Sequence, residues 1–213
     1  MKWFITLLGV LLLVTGCTQE GSTDTQNNQK NPQTQSKEDF SSTALKIKPA
    51  KLSKREKSLV NQIGADYQTF YTVDGKIKSG EVFVSSIIIF KKGKQKEALS
   101  SPVNQTGFSS GLHSFQLQME KKTTFLTIGA PNGYAKGSTT TPGSLGAFMF
   151  KKFDNNEITL KKDAPVYLSY LIGSSKNTVT SQDNEDMTTL PKSVKNAEFA
   201  VVFKVELKDS SDL

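Results

Sequence analysis

The stretch from Phe199 to Leu207 alternates without a break, with Phe199, Val201, Phe203, Val205 and Leu207 on one face. A period of two residues marks a strand with one buried face. A second stretch, Ile87-Ile88-Ile89-Phe90, is apolar at four successive positions. That predicts a central strand covered on both sides. A chain carrying these two segments has to build a sheet and then cover it.

The rest of the chain agrees. Tyr67, Thr69, Tyr71 and Val73 share a face, with Phe70 opposite. Phe115, Leu117 and Met119 alternate with Gln116 and Gln118. Further strands are expected at 123–129, 146–153, 157–161 and 166–172. Turn residues separate them: Asp74-Gly75, a tight hairpin signal, then 91–94, 120–122, 154–156 and 163–165. Helical crossovers are missing, which disfavours a parallel α/β fold. The expected fold is mainly β, an antiparallel β-sandwich, immunoglobulin-like in general architecture, of about eight strands with one short N-terminal helix. A barrel is the alternative. Residues 98–111 read as irregular. Long polar loops at 130–145 and 173–197 are where a binding site is expected, since loops on a rigid sheet usually carry function.

The helix has its own signal. Ser53-Lys54-Arg55-Glu56 fits a capping box, with Ser53 as N-cap and Glu56 three residues on. Leu59, Val60 and Ile63 fall on one side, and Gly64 can close the helix. A helix near 54–63, packed against the domain, is expected.

The N-terminus speaks to location. Met1-Lys2 is followed by an almost wholly apolar run, Trp3 to Val14, and then Thr15-Gly16-Cys17. A positive start, a short apolar middle and small residues at a cleavage point make a secretory signal. The run is shorter than the roughly 20 residues that a spanning helix needs. Val14-Thr15-Gly16-Cys17 resembles the lipobox of bacterial lipoproteins, a resemblance confined to this end of the chain. It implies cleavage between Gly16 and Cys17 and attachment of a diacylglyceryl group to the Cys17 thiol. It also implies a lipid anchor at the extracytoplasmic face of the cell membrane. The expected organisation is a signal peptide at 1–16, a lipid-anchored disordered tether at 17–50, a β-sandwich domain at 51–208 and a flexible tail at 209–213. Phe40 is the only aromatic residue of 18–45, too little apolar surface to offset ordering. A flexible coil of that length reaches about 30 Å.

Cys17 is the only cysteine, so no internal disulfide can form and hydrophobic burial has to hold the domain. Of the 27 basic residues only Arg55 is an arginine. Lysine is a hydrated point charge, whereas arginine makes shaped two-pronged contacts with phosphate. A lysine surface on a chain of net charge +7 suits diffuse attraction to polyanions and argues against nucleic-acid reading. Lys48, Lys51, Lys54, Arg55 and Lys57 are the candidate polyanion contacts, read either as a hold on anionic lipid or polymer or as a solvated helix face. Lysine pairs at 91–92, 121–122, 151–152 and 161–162 stand at strand ends. They form a basic rim if the fold gathers them, or guard strand edges against intermolecular pairing.

Catalytic signals are sparse. The single histidine, His113, shares parity with Phe115 and reads as a strand or core residue. No Ser-x-x-Lys or phosphate-cradling glycine motif occurs. Zinc lacks a thiol cluster or second imidazole. Two acidic turns, 154–157 and 183–186, could hold calcium but match no EF-hand, and ordinary solvated turns explain both. No cofactor or metal is expected. The expected function is a non-catalytic binding or interaction module at the cell envelope, with an anionic polymer or envelope protein as partner. The alternative is a carboxylate-dependent glycan hydrolase using Asp154, Glu157, Asp163 or Asp183.

Overall fold

A computed structural model describes residues 44–152, 157–180 and 186–213. The signal segment, Gly16, Cys17 and the polar stretch to residue 43 lie outside the described residues. So do Asp154 and Asp183 with their acidic turns, apart from Glu157 and Asp186.

Two antiparallel sheets pack face to face. The first contains β1 (Lys46–Pro49), β2 (Tyr67–Lys76), β5 (Gly107–Glu120), β6 (Thr123–Ala130), β7 (Gly133–Thr140) and β9 (Ile158–Thr159), in the order β7-β6-β5-β2-β1-β9. The second contains β3 (Glu81–Lys91), β4 (Lys94–Val103), β8 (Ala147–Lys152), β10 (Val166–Ser174) and β11 (Phe199–Asp209), in the order β4-β3-β11-β10-β8. This is the expected β-sandwich, with eleven strands among the described residues in place of about eight.

The main core lies between the sheets. β11 presents Phe199, Val201, Phe203, Val205 and Leu207 to it, and β3 presents Phe83, Ile87 and Ile89. The neighbouring positions of β3 look outward, yet Ile88 and Phe90 are also buried. They join Tyr170, Ile172, Ala200 and Val202 under a cover made by Leu190, Val194 and Ala197. The cover includes the short helix α2 (Lys192–Lys195). The two-sided apolar run of β3 is thus accounted for by a second, smaller core.

Several expectations change. Residues 98–111, read as irregular, supply most of β4 and the start of β5. The polar loop at 130–145 is largely β7, an edge strand that its Gly, Ser and Thr content disguises. The described end of the 173–197 loop is the cover over the second core, not a free binding loop. Asp74-Gly75 is no hairpin turn. It lies inside β2 at a bulge against β5, where Gly75 has φ +112°. A Cβ there would collide with the Ala44 carbonyl oxygen. The chain instead reverses at 77–80, where Gly80 has φ +86°.

The sandwich also starts earlier than residue 51, because β1 pairs with β2 from Lys46 onward. At the other end, β11 runs through Asp209 and a 3-10 turn follows at Ser210–Asp212, in place of a tail from 209.

The helix α1 (Lys54–Gln62) forms with both capping-box bonds in place. The Ser53 amide donates to Glu56 Oε2 at 2.7 Å, and the Glu56 amide donates to Ser53 Oγ at 3.3 Å. It does not pack as expected: Leu59 is 54 % exposed and Ile63 just beyond it 56 %. Leu59 and Val60 are the only apolar residues in its nine, too few to make a burying stripe.

Candidate functional site

The two sides of the sandwich close differently. On one side edge strands β4 and β7 meet, and the Leu99 side chain lies over Gly137. On the other side the edges are β9, two residues long, and β8. β1 is also short. Its Pro49 has no amide to donate, and after a bond from the Ala50 amide to the Phe70 carbonyl at 3.0 Å the chain turns away toward α1. The sheets are therefore incompletely sealed on this side.

A cavity of about 500 Å³ occupies the gap. This lies within the range of roughly 300–1,000 Å³ that small-molecule sites span. Ile47, Thr69 and Tyr71 line it from the first sheet, with Leu168 of β10 on the second. Ile158 and Met187 flank them, and the connector Ala50–Leu52 makes an outer wall. Lys48, Lys51, Lys57 and Lys152 are exposed lysines on its lining. Among the described residues none of the four makes an ion pair. The nearby Glu157 is engaged by Lys46 at 2.8 Å. That pairing holds the Glu157 carboxyl below its usual range, first through the hydrogen bond and then through the charge of Lys46.

The candidate polyanion contacts thus divide. Lys48, Lys51 and Lys57 converge on one cavity, while Lys54 and Arg55 stand on α1 and do not line it. Lys152 joins from the opposite sheet, its ammonium 5.5 Å from the Phe150 ring centre. Of the four lysine pairs, only 151–152 contributes to this lining. The floor residues Thr69, Tyr71 and Leu168 read in sequence only as strand positions. Met187 is the one described residue of the 173–197 loop at the cavity.

The side-chain hydroxyls of the floor each bond a serine of the opposite sheet. Thr69 Oγ1 donates to Ser169 Oγ at 2.9 Å, and the Tyr71 hydroxyl bonds Ser85 Oγ at 3.0 Å. Burial lifts the Tyr71 phenol well above its ordinary value, the Ser85 bond opposing this in part, so it stays protonated.

His113 lies in the core, as its parity predicts. It sits directly opposite Tyr71 across the β2–β5 ladder, rings stacked with centres 5.3 Å apart, and meets Phe83 edge-on at 5.7 Å. Neither ring nitrogen has a hydrogen-bond partner. Burial lowers its pKa from 6.5 to about 4. Of the carboxylates considered for hydrolysis, two are described: Glu157 is paired with Lys46, and Asp163 sits exposed in a turn at φ +55°. Asp186 is spent on the Thr188 amide and the Thr188 and Thr189 hydroxyls.

No family model, curated protein or solved structure shows a significant match to this chain.

Proposed function

We propose that the chain is a membrane-anchored extracytoplasmic lipoprotein, held through Cys17, whose β-sandwich is a non-catalytic binding module for anionic envelope material. One observation carries the binding part. Three of the five basic residues singled out in the sequence, joined by Lys152, line the same cavity, and among the described residues none of the four makes an ion pair. Four exposed ammonium groups around one concavity concentrate positive potential there. Because all four are lysines, the attraction follows charge more than shape. The lipobox-like Val14–Cys17 and the apolar run before it support the location.

Two measurements test the reading. Retention of the full chain on an immobilised glycerol-phosphate polymer should fall steeply with added salt. It should also fall in a Lys48→Glu, Lys51→Glu, Lys57→Glu variant. Retention unchanged by those charge reversals refutes the site. For the anchor, Cys17→Ser should abolish lipid labelling and release the protein from salt-washed membranes. A Cys17→Ser protein that stays membrane-bound and normally processed refutes the lipoprotein assignment.

A further inference from the structure

The cavity has two chemically distinct parts. Its inner surface comes from core positions, Ile47, Tyr71 and Leu168, each at most 5 % exposed. The side-chain hydroxyls inside are already bonded to Ser169 and Ser85. A sugar or nucleotide placed there would lose its water and find the few side-chain hydroxyls already engaged, which is costly. An apolar segment loses nothing by entering and gains by leaving water. The charged side chains among the lining residues are the four lysines, and their ammoniums want an anion.

We infer that the cavity binds a single-chain anionic lipid, its acyl chain lying between Ile47, Tyr71 and Leu168 and its acidic head among Lys48, Lys51, Lys57 and Lys152. This rests on the basic-rim reading above and names the ligand class for it. Charge complementarity selects the head: among the described residues Lys51, Lys57 and Lys152 make no ion pair, and Lys48 only shares the field of Glu157, whose direct partner is Lys46. The position on the chain suits a lipid as well. The lining begins on β1, the first described strand, where the chain enters the sandwich from its N-terminal side.

Native mass spectrometry of the full chain in a nonionic detergent tests this with three probes: oleoyl lysophosphatidylglycerol, oleoyl lysophosphatidylcholine and glycerol 3-phosphate. The anionic lipid should give a one-to-one adduct. The phosphocholine lipid should bind about tenfold more weakly, on the scale of one to two lysine–headgroup attractions. Glycerol 3-phosphate should give no adduct. Lys48→Glu with Lys152→Glu should weaken the anionic lipid by more, about thirtyfold or beyond, since two attractions are lost. Ala50→Trp, which fills the cavity from its partly exposed outer wall, should remove both lipid adducts. If Ala50→Trp unfolds by circular dichroism, Ile158→Trp on the flanking wall repeats the test.

The inference is overturned by the absence of a one-to-one adduct, by adducts that survive the folded tryptophan variant, or by equal binding of glycerol 3-phosphate. Polymer retention without a lipid adduct overturns it and leaves the proposed function standing. Loss of both overturns both.

Discussion

His113 should make this protein lose stability as the pH falls below about 6.5. The ring is 2 % exposed, wedged between Tyr71 and Phe83, and neither nitrogen is hydrogen-bonded. Folding therefore requires the neutral form, and the pKa falls to about 4. In the unfolded chain it returns to about 6.5. Between those values the unfolded state binds a proton that the folded state refuses, so stability falls as pH falls. The contribution is complete above about pH 6.5 and is lost on approach to pH 4. The span from 6.5 to about 4 corresponds to about 3 kcal/mol, at roughly 1.4 kcal/mol per tenfold change in protonation.

The chain has one histidine, so a single imidazole is responsible. The carboxylates held below their usual range, Glu56, Glu157, Asp186 and Glu198, give up their contributions only at lower pH, near and below 4.5. Urea unfolding followed by circular dichroism from pH 7.5 to 5 is the assay. Wild type should lose about 2 kcal/mol over that range, and His113→Phe or His113→Leu almost none. At pH 7.5 either variant should match or exceed wild type, because two unpaired buried nitrogens are removed. Parallel pH curves for wild type and both variants would refute the reasoning. So would a loss of more than about 2 kcal/mol at pH 7.5 in both, which would mean the imidazole has a polar role in the core.

Three further outcomes follow from the fold. Gly75→Ala should cost about 2 kcal/mol or more in urea unfolding, since φ is +112° and the new methyl meets the Ala44 carbonyl. Glu206 is nearly buried between Lys204 at 2.6 Å and Lys208 at 3.0 Å, so Glu206→Gln should destabilise by about 2 kcal/mol. Glu97, at 3.9 Å from Lys204, offers only partial compensation. Ser53→Ala removes one arm of the capping box and should weaken α1 by about 1 kcal/mol. Hydrogen exchange should show that loss in α1 amides alone, because α1 buries no side chain in the core.

The class of fold was legible in the alternation of β11 and in the two-sided run of β3, because side-chain period is set by strand geometry and survives in any context. The capping box was legible because its bonds are local, three residues apart. β7 was not: its Gly, Ser and Thr residues carry little apolar signal, and it is a strand because β6 offers it a ladder. Gly75 was misread because a tight turn and a bulge both call for a residue with positive φ, and only the Ala44 carbonyl above it distinguishes them.

The same division holds for the candidate site. Residue order alone determined that this chain carries a basic cluster after a polar stretch, one cysteine behind a short apolar run, and strands enough for two sheets. Which lysines share a cavity was decided by the tertiary structure. β1 sets Lys48 opposite Thr72 of β2, β8 carries Lys152 across from the other sheet, and the short edge strand β9 leaves the side between them open. Sheet order and strand length set those distances, and neither is encoded in any local stretch of sequence.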